Sequence, residues 1–527
     1  MFKNKLILVC IFIVAIFLRL YQLGVNPPSL DWDEASLGYN AYSILKTGRD
    51  EFGRPWPISI RSFEDYKPAV YVYLTIPAVA ILGLNEFAVR LPSAICGILT
   101  VVIAYFLIKE LVSNKIAIIG TFLLAISPWH LQFSRIAFEA NAALLFVSLG
   151  ILFYLKGLKS GKWLILSSIL FVTSFYTYHS PRLIVPLLLL GWSIYFRKKL
   201  LVQKKYMVIG LMIGFLLLVP FIKEAFGEGG ARLRSVTVIT AEDNLKDSIS
   251  KIEFDKNNQD YLGALLHNRR MIYTLAIIKG YLDHFNLDFL FLNGDGSLRH
   301  HAVDMGALYL WEAPFVLWGM LRLIRNKNLT VWWWFLIAPV ASAITSGTPH
   351  AVRALFYLPI YQIFTAVGIN EVMNRLKNYQ IIKIGLFFLI GLNIFYYLNM
   401  YYKNSPIEAA KDWQYGYKQA VQTLALYDNN VDQVIMTYAY DQPHIYVMFY
   451  QKIDPFWYQQ QYKGEDIKRA ERNFGKYVFR IIDWDKDKNL KNALLVGTPG
   501  EIPAGTQGII KEVKYPDGSV AFRIVKQ

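Results

Sequence analysis

Long apolar runs separated by short basic turns set the pattern of roughly the first four hundred residues. Runs at 6–18, 69–84, 91–108, 116–128, 138–155, 163–177, 183–196, 206–222, 305–322, 330–346, 353–370 and 381–400 predict membrane-embedded helices. Several fall short of the ~20 residues that comfortably span hydrocarbon. The first run follows M-F-K-N-K and is succeeded by a poor cleavage site, so it is expected to stay as an anchor with a cytoplasmic N-terminus. Basic clusters recur at Lys109–Lys115, Lys156–Lys162, Arg197–Lys205, Arg322–Lys327 and Arg375–Lys383. All five share the cytoplasmic side if 91–108 runs inward and 69–84 is re-entrant or interfacial. That leaves eleven spans and an external C-terminus.

The polar stretches between the runs carry the remaining pattern. Two long external loops are expected, at 24–90 and 223–304. In the first, E-A-S-L-G-Y-N-A-Y-S-I-L-K at 34–46 has the spacing of a short amphipathic helix, suited to lie on the bilayer surface. Asp33 and Glu34 stand at its start, with Asp31 in a solvated loop position. Residues 271–292 read as a second surface-lying helix. After Tyr402 the chain turns polar. Strand-like runs at 433–438, 476–482 and 493–497 are joined by helix-like segments at 408–427 and 443–452. That alternation predicts a small α/β domain. The expected organisation is a membrane body over 1–402 and an external soluble domain over 403–527.

Composition narrows the class. Of 527 residues, 54% are hydrophobic and 18% charged, which suits a multi-pass protein of the cell membrane. The net charge of +16 sits mostly in the turns between apolar runs, and no nucleic-acid-binding motif accompanies it, so nucleic acid is set aside as a partner. The two cysteines, Cys10 and Cys96, have no metal or disulfide spacing. No repeat of solenoid period is evident.

Chemistry gathers in the external loops. They hold Asp31, Asp33, Glu34, Glu64, Asp65 and Lys67, then Arg135, Glu139, His179 and Arg182, and later Asp295, Arg299, His300, His301, His350 and Arg353. Carboxylates beside cations suit transfer from a phosphate-bearing donor: a base takes a hydroxyl proton while cations steady the leaving phosphate. No cofactor is compelled. The acids are compatible with a divalent cation, but no His/carboxylate spacing demands one, and the histidines read as interfacial hydrogen-bonders rather than metal ligands. Trp332, Trp333 and Trp334 fit an aromatic belt at a span end. The rival class is a transporter or flippase for lipid-linked sugars, which would place charges or repeats at mid-membrane. Here the charges gather on one side.

Four motifs in order resemble the polyprenyl-phosphate-sugar-dependent glycosyltransferases, which include protein O-mannosyltransferases and lipid A aminoarabinose transferases. They are W-D-E-A at 32–35, Lys-Pro at 67–68, F-A-V-R-L-P-S at 87–93 and F-S-R-I-A-F-E at 133–139. N-G-D-G-S-L-R-H-H at 293–301 and H-x-x-R at 350–353 are also similar to bacterial members. The resemblance implies a GT-C fold and transfer of a single sugar, from a polyprenyl-phosphate carrier to a protein or glycolipid hydroxyl. It implies Asp33 as base or acceptor-orienting acid with Glu34 adjacent, and Glu139 as the acid of a second loop. Lys67 would contact the lipid phosphate. Tyr66, Arg90, Arg135, Arg299, His300, His350 and Arg353 would join it in binding substrates. Ala69 departs from a common Lys-Pro-Pro, and Glu139 is one methylene longer than the usual Asp.

Overall fold

The computed structural model describes residues 2–63, 65–225, 237, 242–427, 430–461 and 472–527. Glu64, and 226–236 and 238–241 of the expected 223–304 loop, lie outside these described residues. The chain is mostly helical and forms two compact units. One comprises Met1–Arg19, Cys96–Ser134 and Glu139–Tyr397; the other comprises Leu20–Ile95, Arg135–Phe138 and Leu398–Gln527. These units divide the chain differently from the expected 1–402 and 403–527, because the first long loop and the C-terminal residues belong to one unit.

The first unit is apolar and helical. Among the described residues, four helices are long and apolar enough to cross a membrane: Glu86–Leu111, Glu139–Gly157, Lys204–Ile222 and Gln380–Glu408. The pair Asn114–Ile126 and Pro128–Ser134, bent by 56°, raises the count to five if taken as one span. Other expected spans are shorter apolar helices, such as Lys162–Phe175 and Pro181–Tyr195, so length and composition alone do not reach eleven. Packing relies on small residues. Glu312–Arg325 and Ile360–Arg375 meet at Gly319 and Gly368, where a methyl group would collide with the carbonyl oxygens of Phe364 and Phe315. In lipid, where apolar side chains gain nothing by leaving solvent, such backbone approach is what joins helices.

The second unit is built around a helix. Label α1 the helix Phe2–Leu20, α2 Trp32–Thr47, α3 Val70–Leu82 and α4 Glu86–Leu111. Asp31 caps α2: its Oδ1 accepts from Glu34 N at 2.8 Å, and Glu34 Oε2 accepts from Asp31 N at 3.3 Å. This reciprocal cap satisfies two donors that a helix start leaves free. Gly48, left-handed at φ 69°, closes the other end. Contrary to the surface-lying expectation, α2 is an interior helix. Every residue from Glu34 to Ala41 is buried. Gly38 explains how: a Cβ there would lie 2.5 Å from Val89 Cγ2 and 2.7 Å from Phe449 Cε2. Asp31 is likewise fully buried rather than solvated.

A hairpin follows α2, absent from the sequence expectation. Its strands are β1 (Ser59–Ser62) and β2 (Asp65–Pro68), with Ile60 opposite Lys67. Next, α3 has 13 residues, fewer than the ~20 a perpendicular span needs.

The expected C-terminal α/β pattern forms a five-stranded sheet in the order β4-β3-β5-β7-β6. Its strands are β3 (Gln433–Met436), β4 (Tyr477–Phe479), β5 (Ala493–Gly497), β6 (Ile509–Lys514) and β7 (Val520–Lys526). β3 runs parallel to β4 and β5; β7 is antiparallel to β5 and β6. The last two strands carry no expectation from the sequence. The expected helix over 408–427 is two pieces, Ser405–Glu408 and Tyr417–Tyr427. This region locks onto the first loop. Gln414 Oε1 accepts from Trp32 N at 3.0 Å, Tyr39 OH donates to Ile453 O at 3.0 Å, and Lys418 pairs with Glu86 at 2.6 Å.

Candidate functional site

Two neighbouring carboxylates at the start of α2 meet different partners. A helix turns about 100° per residue, so consecutive side chains diverge. Asp33 turns to β2, where Lys67 Nζ donates to its Oδ1. Both side chains keep a path to solvent, Lys67 at 10% and Asp33 at 31% exposure. Negative charge in the first turn also suits the positive end of the helix. Asp33 and Lys67 therefore form an accessible acid–cation pair, set by one helix and one strand. Beside them Tyr66 OH accepts from Arg54 at 3.1 Å, with the guanidinium 5.2 Å from the ring centroid.

Glu34 turns inward. Its carboxylate takes a two-pronged pair from Arg90 at 2.9 and 2.8 Å, and both side chains have no exposure. Its Oε1 also accepts from Ala137 N at 2.8 Å. Arg90 further donates to Pro27 O at 2.9 Å and Leu23 O at 3.3 Å, and lies over Trp413. Both Glu34 oxygens accept from protein donors, and Arg90 donates to protein acceptors, so each is engaged within the protein. Arg135 belongs with them: at 1% exposure, its Nε donates to Tyr401 OH at 2.9 Å and its guanidinium to Asn26 O at 3.0 Å. Expected to bind substrate, it ties Arg135–Phe138 to the rest of this unit through these contacts.

The other predicted residues lie in the first unit. Glu139 opens the helix Glu139–Gly157 and is 8% exposed. Arg299 contributes its carbonyl to Gln132 Nε2 at 2.7 Å. Arg353 donates to Thr345 Oγ1 at 2.6 Å and Ser346 O at 2.8 Å. His300 and His350 come together, ring centroids 5.0 Å apart. Between them and the backbone sits Asp295, whose Oδ2 meets His300 Nδ1 and Ala351 N, each at 2.7 Å. Burial alone would raise the Asp295 carboxyl, but His300 and the Ala351 N–H hold it at about 2. Burial, with Arg353 and His300 nearby, pushes His350 well below its ordinary value. This unit also contains an apolar cavity of about 560 Å³, lined by Ser167, Phe171, Val185, Leu211 and Phe215 among others.

Residues 66–223 match the family model described as dolichyl-phosphate-mannose-protein mannosyltransferase. No curated protein matches the chain by sequence. Among solved structures, ArnT from Cupriavidus metallidurans in the apo state is similar at TM-score 0.58 and 12% identity, covering 98% of this chain and 97% of that one. The same protein bound to undecaprenyl phosphate is similar at TM-score 0.57 and 12% identity, over the same 98% and 97%. The oligosaccharyltransferase of Archaeoglobus fulgidus, tethered to an acceptor peptide, is similar at TM-score 0.50 and 14% identity, over 85% of this chain and 63% of that one.

The chain has the GT-C fold. The agreement with ArnT extends over nearly the whole length, C-terminal residues included. Within this GT-C chain, sequence reasoning left several buried groups unassigned. Asp295 was visible as a loop acid but received no role; its five-residue spacing from His300 was the available signal. Glu51 was not singled out. Its carboxyl is buried, accepts from Asn40 at 3.3 Å, and is raised by that burial to about 7. Nothing in the local sequence around Glu51 announces burial.

Proposed function

We propose that this protein transfers a single sugar from a polyprenyl-phosphate carrier to a hydroxyl of a protein or glycolipid acceptor, at the external face of the cell membrane. The observation that carries the reading is the accessible Asp33–Lys67 pair on a GT-C fold. Asp33 accepts the proton of the acceptor hydroxyl as its oxygen bonds to the sugar's anomeric carbon. The bond from that carbon to the phosphate oxygen breaks, and its electron pair leaves with the polyprenyl phosphate. Lys67 moves from Asp33 towards that phosphate and balances the charge it gains. A base contributes typically ~10²–10⁴-fold, and a cation placed where charge develops adds to it.

Three further observations support the reading. ArnT is bound to undecaprenyl phosphate in one of the similar crystal structures, and the matched family's description names dolichyl-phosphate-mannose. The apolar cavity of about 560 Å³ has the chemistry to hold an isoprenoid chain. The five basic clusters argue for a cytoplasmic face opposite the reacting loops. The C-terminal residues, in one unit with α2, are suited to cover the reacting loop or dock an acceptor.

The test is reconstitution in vesicles with labelled polyprenyl-phosphate sugars and candidate acceptors. Label is expected on the acceptor, with free polyprenyl phosphate released. Passage of labelled lipid across the bilayer with no sugar transferred would replace this reading by the flippase.

A further inference from the structure

The transfer step leaves one group of side chains unused. Asp295, His300 and His350 offer a carboxylate oxygen and two imidazole nitrogens, all within 4.8 Å of one another. Two separate loops supply them, and the Ala351 N–H to Asp295 bond at 2.7 Å holds those loops together. The surroundings are fixed as ligand shells are. Ser297 N donates to Asp295 Oδ1 at 3.1 Å, His301 Nε2 meets the Asp295 carbonyl at 2.9 Å, and His350 N donates to His284 Nε2 at 3.2 Å. His284 is held in turn by Gly280 O and Ser342 Oγ, each at 2.7 Å.

One atom makes the arrangement incomplete as a plain hydrogen-bond network. His350 Nδ1 is buried and has no hydrogen-bond partner among the described residues. An orphaned buried polar atom costs about 1–3 kcal/mol, so a ring nitrogen kept in that state is explained by something it binds. Solvent-facing acids often cluster without a ligand. Here Asp295 and His300 are each only 9% exposed.

We propose that Asp295, His300 and His350 bind one divalent transition-metal ion of the zinc class. The donor set decides the class. Two imidazoles with one carboxylate suit zinc and its neighbours, whereas magnesium and calcium favour oxygen. Bonds of ~2.0–2.2 Å at tetrahedral angles put donor atoms ~3.4 Å apart, within reach of the observed spacing by small side-chain rotations. Three protein ligands leave a fourth position for water. The ion would link the 293–304 and 346–353 loops, which the Ala351 N–H to Asp295 bond already joins at one point.

The experiment uses full-length protein in detergent with no histidine tag, stripped by chelator and dialysed against zinc. Elemental analysis should find about one zinc per chain, and competition with a fluorescent chelator should give its affinity. His350→Ala and Asp295→Asn should each weaken binding by ~10-fold or more. His267→Gln, outside the cluster, should leave it unchanged. Cobalt added to the stripped wild-type protein should give visible d–d bands of a low-coordinate site. That measurement keeps the proposal open to refutation if the variants fail to fold. Less than about 0.1 zinc per chain, no cobalt bands, or a His350→Ala variant that binds as tightly as wild type would each overturn it. Sugar transfer is not the readout, so failure here is separate from failure of the transferase reading.

Discussion

Asp33 and Glu34 are adjacent acids at one helix start, and each is paired with a cation. There the likeness ends. The Asp33–Lys67 pair has 31% and 10% side-chain exposure, while the Glu34–Arg90 pair has none. Glu34 spends its oxygens on Arg90, Ala137 N and Asp31 N. Such a sealed pair holds chain segments in place; its charges have no freedom to change partners. A half-open pair that solvent reaches can exchange its lysine contact for a phosphate. Burial, more than residue type, separates the sealed acid from the one proposed to react.

Several changes would break or sharpen this contrast. The largest effect belongs to the open pair. Asp33→Asn keeps the shape but removes the proton acceptor, so turnover should fall ~10²–10⁴-fold with the melting temperature near wild type. Lys67→Ala should weaken binding of the lipid-phosphate donor as well as slow transfer, since it removes a charge-assisted contact. Transfer assays on purified variants, paired with donor-binding measurements, check both. Near-native turnover in Asp33→Asn would remove the distinction between the pairs.

The sealed pair should fail in a different way. Arg90→Ala leaves the Glu34 carboxylate buried without its cation, a loss of roughly 3–5 kcal/mol. A lower melting temperature or failure to fold is expected, before any kinetic effect can be measured. An Arg90→Ala protein that is stable but inactive would instead place Arg90 with the substrate-binding groups.

Glu51 tests what burial does to an acid with weaker compensation. Its pKa lies near 7, against an ordinary 4.5. The folded state therefore holds its proton more tightly than the unfolded chain between those values. Below about 4.5 the group makes no difference; as pH rises through 7 the folded state loses up to about 3 kcal/mol. Glu51→Gln should flatten this decline in a series of melting curves from pH 5 to pH 8. An unchanged slope would mean that Glu51 is ionised at little cost.

The smallest effect is at the cap. Asp31→Ala removes the side chain that accepts from Glu34 N, and should cost about 1 kcal/mol by loss of capping. Because the same bond orients Glu34, the loss should be larger in wild type than in an Arg90→Ala background, as a double-mutant cycle of melting curves would reveal. Additive losses would show that cap and ion pair act independently.

Local pattern alone determined much of this molecule. Apolar runs announced most of the helices in the first unit, because lipid requires long uninterrupted hydrophobicity. The amphipathic spacing at 34–46 announced the helix α2. The run at 493–497 announced a strand. W-D-E-A and Lys-Pro, read in order, also brought Asp33 and Lys67 under consideration before their contact was known. Tertiary structure decided the rest. Amphipathic spacing placed α2 on a surface, but Gly38 admits Val89 and Phe449 against it, and that closure comes from distant parts of the chain. Arg90 and Arg135 read as substrate-binding cations, and only the fold shows the long-range protein partners each meets. Asp295 and His300 lie five positions apart, yet the third member of their group, His350, arrives from fifty residues further on. Spacing along a chain reports what one element can present. Only packing determines which presented groups remain open to water, because burial is a property of every neighbour at once.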